Sequence, residues 1–145
     1  TLGMMLQQMG RQDEALEAYE SALKFADGNP VVLNNMAWLY LDRDLERAAE
    51  YAKKAYDIAP ERAEIVDTYG WILFKQGKQQ QALNILQQAL VIAPRNPEIG
   101  LHVAEALVRQ GRDSEAKPLL ERILAEHQHT RHAAPARDLL KRLRN

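Results

Sequence analysis

The chain of 145 residues contains no cysteine. That absence removes disulfide scaffolds, CxxC redox chemistry and thiolate zinc sites. Glycine and proline are scarce, with seven and six residues, and only two tryptophans and two phenylalanines are present. An excess of charge is missing too: 19 Lys and Arg stand against 20 Asp and Glu, a net charge of -1. A dedicated nucleic-acid binder needs a clear basic excess for its phosphate contacts, so nucleic acid is not an expected partner. No apolar run approaches the roughly 20 residues that span a bilayer, and direct membrane insertion of this segment is not expected. The phosphate-loop, dinucleotide, zinc-protease and serine-hydrolase signatures are absent as well, so the sequence predicts no cofactor and no catalytic activity. The chain opens at Thr1 without an initiator Met or a signal-peptide pattern, and reads as a segment of something longer.

Alanine, by contrast, is plentiful, with 21 residues. Many small residues and few breakers point to closely packed helices. The segments QDEALEAYESAL, LERAAEYAKKAY, QQQALNILQQAL and DSEAKPLLERIL are similar to one another, and their alanines fall at Ala15, Ala48, Ala82 and Ala116, separated by 33, 34 and 34 residues. Pro60 and Pro94 keep the same beat, as do Gly77 and Gly111, with Gly10 in the equivalent place of the first unit. The second unit is one residue short because LDRDLE lacks the glycine, which predicts a tighter turn at Asp44.

Each unit reads as two helices. In VVLNNMAWLYLD, EIVDTYGWILFK and EIGLHVAEALVR the apolar residues recur at helical spacing. Gly77 and Gly111 supply the left-handed turn that ends the first helix. Pro60 and Pro94 stop the second, and Pro30 and Pro97 open the next. Gly3, Ala37, Gly70 and Ala104 hold one equivalent small site on the first helices, and the four alanines hold another on the second. Met36, Tyr40, Leu73 and Leu107, with Tyr19, Leu86 and Leu120, are the predicted core between them.

These features resemble the tetratricopeptide repeat family, a helix–turn–helix of 34 residues with Trp, Leu-Gly, Tyr, Ala, Phe and Pro at fixed offsets. The third unit matches best, through Tyr69-Gly70, Leu73, Gly77, Ala82, Leu86, Ala89 and Pro94. Leu33, Val66 and Gly100 replace the motif Trp, and Gly100 is expected to leave that pocket empty. Pro118 falls inside a second helix, near enough its start to predict a mild kink. The units are placed at residues 1–29 (first helix truncated), 30–62, 63–96 and 97–128, with a basic capping helix over 129–145. In that helix Ala133, Ala136, Leu139, Leu140 and Leu143 form one apolar stripe. The resemblance implies an all-α, right-handed superhelical solenoid whose first helices line a concave groove for a protein or peptide ligand.

Residues of that groove follow from helical geometry. At about 100° per residue, Val66, Tyr69, Gly70 and Leu73 face the core, whereas Trp71 lies about 140° away and Glu64, Thr68 and Lys75 about 160–200° away. Trp38 occupies the place of Trp71 one unit earlier, and Glu105 one unit later. Leu41, Phe74 and Val108 share a shoulder position suited to packing between repeats. Either the tryptophans pack sideways between neighbouring first helices, or they anchor a ligand, which the open concave face favours. Asn34, Asn35, Asp67 and Thr68 are the expected hydrogen-bonding groups around them. Glu64, Glu98 and Arg109 are the expected selectors by charge. Asp42, Lys75, His102 and Glu105 complete the polar surround. Chaperone-binding relatives hold a C-terminal carboxylate with Lys, Arg and Asn, but the matching positions here are Glu64, Glu98 and His102, which disfavours such a clamp. An apolar ligand with basic flanks fits better.

Two other clusters invite weighing. His127, His129 and His132 have only Glu126 nearby and read as a linker at a helix end, so no metal site is expected there. His102 has no serine or carboxylate partner at a recognisable spacing, which leaves it no catalytic role. Residues 131–145 carry +4 and the remainder −5, a basic tail that suits a solubilising cap.

The run from Leu33 to Ile99, with LNNMAWLY and DTYGWIL, is also similar to the C-terminal repeats of bacterial tetratricopeptide lipoproteins of the exosortase/PEP-CTERM system. That likeness implies a lipid-anchored, periplasmic protein of envelope sorting and exopolysaccharide export; without it the compartment would be cytoplasmic. The expected function is a protein-binding scaffold. The alternatives are a structural array that self-associates through its uncapped N-terminal end, and a substrate-selecting module for a catalytic domain elsewhere.

Overall fold

A computed structural model of the chain describes residues 2–8, 10–25 and 28–144. Thr1 lies outside the described residues. The described residues form α-helices and no strand. They divide into two compact units, residues 1–60 and 61–145. In the first, α1 (Leu2–Gln8) pairs with α2 (Gln12–Phe25), α3 (Pro30–Tyr40) pairs with α4 (Leu45–Ile58), and α2 lies against α3. In the second, α5 (Ala63–Lys75) pairs with α6 (Gln79–Ile92) and α7 (Pro97–Arg109) with α8 (Asp113–Glu126). There α7 also touches α5 and α6, while α9 (Ala133–Arg144) covers α8 and part of α7.

Local chemistry sets the helix ends. The Asn29 side chain accepts from the backbone N–H of Val31 at 3.0 Å, and Asn96 accepts from Ile99 at 3.1 Å, each just before a proline whose missing N–H has no helical partner. At the other end, Gly77 has φ 82° and Gly111 φ 74°. Around Gly77 the Lys78 N–H donates to Leu73 C=O and the Gly77 N–H to Phe74 C=O, both at 3.0 Å. The Gly111 turn repeats that double bond pattern, which satisfies carbonyls the helix would otherwise leave bare.

The glycine-free turn differs from expectation. Its missing residue is taken from the helix, because α3 has 11 residues against 13 in α5 and α7. The link of residues 41–44 is no tighter than those at residues 76–78 and 110–112. Asp44 sits in extended backbone, φ −151°, donating its N–H to Tyr40 C=O at 2.8 Å and accepting from Arg47 N–H at 3.1 Å. It therefore starts α4 as an N-cap instead of ending α3. The helix α8 runs on through Pro118.

Close approach holds each pair together. Ala15, Ala48, Ala82 and Ala116 are all fully buried, as are Met36, Leu86 and Leu120. A Cβ at Gly70 would lie 2.8 Å from Leu86, so α5 and α6 meet at van der Waals distance only because that hydrogen is there. Gly100 corrects the sequence reading: its pocket is filled, because Ile123 from α8 lies 3.4 Å from where a Cβ would be. Only about 10 Å³ of space remains beside it. On α9, Ala133, Ala136, Leu139 and Leu140 are buried, the apolar stripe facing α8 and α7.

These two glycines yield opposite expectations. Gly70→Ala should destabilise by about 1–3 kcal/mol through overpacking against Leu86. Gly100→Ala makes an ordinary contact and gains helix propensity, so it should stabilise by up to about 1 kcal/mol. Urea melts of both variants check this; equal effects would contradict the contact geometry.

Candidate functional site

The residues proposed from helical geometry fall in both units. On α3, Asn34, Asn35 and Trp38 are half-buried, and Leu41 follows the helix as its C-cap, also half-buried. Asn35 is engaged already, hydrogen-bonded to the hydroxyl of buried Tyr19. The Asn34 Oδ1, in contrast, is a buried acceptor with no hydrogen-bond donor.

The second unit carries the denser constellation. Glu64, Asp67, Thr68, Trp71, Phe74 and Lys75 come from α5; Glu98, His102, Glu105 and Arg109 come from α7. Spacings of three and four place each set along one helix face. Because α5 and α7 lie against one another, the two sets meet.

At the floor, Asp67 and His102 are buried, and the His102 Nδ1 lies 2.8 and 3.0 Å from the two Asp67 carboxylate oxygens. Thr68 is buried as well and donates its hydroxyl to Glu64 C=O at 2.8 Å. The indole of Trp71 lies on the His102 ring, 4.1 Å between centroids and 16° from parallel, and on the Phe74 ring at 4.9 Å. Cations close the stack: the Lys75 ammonium is 4.9 Å from the Trp71 ring centre, and the Arg109 guanidinium 4.9 Å from that of Phe74. Each such exposed contact contributes about 0.5–1 kcal/mol. Trp71 is half-buried, Phe74 is buried, and Glu64, Lys75 and Arg109 are exposed; Glu98 and Glu105 are intermediate.

Two expectations change here. His102 does have a carboxylate partner, Asp67, which lies 35 residues away on the neighbouring first helix. Its signal in the sequence is a spacing of one repeat length plus one residue, which no fixed catalytic spacing resembles. The histidine linker also divides by environment. His127 caps α8 and bonds Arg95 C=O through Nε2 at 3.0 Å, whereas the Nδ1 of His132 is buried without a partner. Burial pushes the His132 imidazole below its ordinary range, with the charge of Glu98 opposing that shift. Asp67, Glu98 and His102 each present one ligand-type atom within 4.8 Å of the others, a cluster the sequence reading did not foresee.

Such helix–turn–helix pairs, stacked with a face of exposed and half-buried side chains, are the architecture of repeat scaffolds. Two tetratricopeptide repeat models match residues 73–143 and 1–26, and the chain belongs to the tetratricopeptide repeat family. It is 38% identical over 84 residues to the Photosystem I assembly protein Ycf3 of Prochlorococcus marinus strain MIT 9211, which covers 54% of this chain and 48% of that protein. The chain thus spans about half the length of the curated relatives it matches. Among solved structures it is similar to TTC0263, a thermophilic tetratricopeptide protein of Thermus thermophilus, at 25% identity and TM-score 0.79, over 98% of this chain and 77% of that one. The Pseudomonas aeruginosa pilF structure shares the fold at 20% identity and TM-score 0.84, over 99% and 66% of the two chains. The fold class is therefore the all-α one of tetratricopeptide solenoids. No helix among the described residues is long and apolar enough to cross a membrane.

Burial raises the Asp67 carboxyl above its ordinary range; the His102 hydrogen bond and charge pull it back, and the charge of Glu98 adds to the rise. The folded protein then holds that proton more tightly than the unfolded chain. Its contribution to stability is complete below the ordinary aspartate pKa and is lost as pH rises through the raised value. Asp67→Asn keeps an oxygen for Nδ1 but removes the ionisation. Denaturant midpoints compared from about pH 4 to about pH 6 should show the variant gaining on the native protein as pH rises. A pH-independent difference would contradict the raised carboxyl.

Proposed function

We propose that this chain is a protein-binding scaffold that holds a partner segment against the aromatic face of α5 and α7. Tetratricopeptide repeats in general act as protein-interaction scaffolds. The observation that carries the reading is Trp71, half-exposed yet stacked against the His102 and Phe74 rings. A rigid, amphipathic ring costs little side-chain entropy on binding, which is what an anchor requires. An apolar side chain of the partner would rest on Trp71. Glu64, Lys75, Glu98, Glu105 and Arg109 would select its flanks by charge. Trp38 is the equivalent candidate on α3.

The likeness to a protein named for photosystem I assembly supports a role in holding a component during assembly of a larger complex. The similarity of Leu33–Ile99 to PEP-CTERM lipoprotein repeats supports a place in bacterial envelope sorting or exopolysaccharide export, where self-association or service to a catalytic domain would be further uses of the same scaffold.

Pull-down from the native host should decide. Trp38→Ala combined with Trp71→Ala should abolish capture of a partner held by the native protein, while circular dichroism stays unchanged and melting falls by a few degrees. Capture that survives the double substitution would overturn the reading. Collapse of the fold would instead make both rings core residues.

A further inference from the structure

We propose that Asp67, Glu98 and His102 bind one divalent transition metal ion of the zinc class. The three ligand-type atoms lie within 4.8 Å of one another before any ion draws them in. Around zinc, with bonds of about 2.0–2.2 Å, tetrahedral ligand atoms stand about 3.3–3.6 Å apart. The Asp67–His102 pair at 2.8–3.0 Å would open slightly and Glu98 would close in, changes that carboxylate rotation supplies.

The chemistry of the donors favours a cation over a plain polar core. Two carboxylates stand beside a single imidazole, a mixed oxygen and nitrogen donor set. Imidazole nitrogen disfavours calcium and magnesium, which take oxygen ligands, and the absence of cysteine disfavours soft ions. On binding, the ion takes the place of the proton held between Nδ1 of His102 and Asp67, and that proton leaves to solvent. The bound ion would tie α5 to α7 beneath Trp71.

The metal-free chain should be titrated with zinc chloride by calorimetry. In parallel, cobalt(II) should be followed by its absorption and by tryptophan emission in a Trp38→Phe background. One saturating equivalent is expected, with cobalt quenching Trp71, whose ring lies 4.1 Å from that of His102. Glu98→Gln should weaken binding at least tenfold. Glu98 lies outside the fully buried core, so circular dichroism should stay native. No saturable binding would overturn the proposal. So would binding that survives this substitution without quenching Trp71, since it would belong to exposed histidines such as His129.

Discussion

The distance between paired helices is the constraint on which everything else depends. Gly70 has no room for one methyl group against Leu86, and the alanines at 15, 48, 82 and 116 are wholly shielded from solvent. With such small contacts the two helices of a pair approach at the near end of the usual 8–10 Å range. That leaves the larger side chains of the first helices to fill the layer behind or to project from the opposite face. The aromatic surface on α5 is thus a by-product of the tight seam: Gly70 and Leu73 turn inward, and Trp71 and Lys75 must turn elsewhere.

Much of this was legible in the sequence because a repeat states its rules several times. The small sites, the left-handed glycines, the prolines at helix starts and the apolar stripe of residues 133–143 all follow from periodicity, although the capping helix, placed over residues 129–145, occupies only Ala133–Arg144. What escaped were facts that depend on two helices at once. The Asp67–His102 pair joins successive first helices, so its spacing of 35 means nothing until the repeat length is applied. Gly100 looked like a hole because the motif assigns it a bulky residue, yet Ile123 reaches the space from α8. The candidate site was readable as a set of positions on one face. Its depth was not, since helical angles cannot tell a half-exposed indole from the buried imidazole beneath it.

That layering matters for how the face would work. The Trp71 ring covers an imidazole locked by a buried carboxylate, so the orientation of the surface is set by a polar pair below it. Packing alone would let an indole choose among rotamers; a flat neighbour held by two oxygen contacts narrows the choice. The cationic groups of Lys75 and Arg109 spread over the outer rings and lend the aromatic surface a charged margin. A surface built in this way couples stiffness at its centre with solvated, adjustable edges.

The shortened α3 has a consequence for how such a chain can change over time. Its missing residue is absorbed at the helix end, where Tyr40 still reaches the core and Asp44 begins the next helix on its own account. The same deletion inside α3 would turn every later side chain of that helix by about 100°, carrying core residues to the outside. Insertions and deletions between related chains should therefore gather at these helix-to-helix junctions, where the geometry tolerates an error in length but nowhere has to tolerate an error in angle.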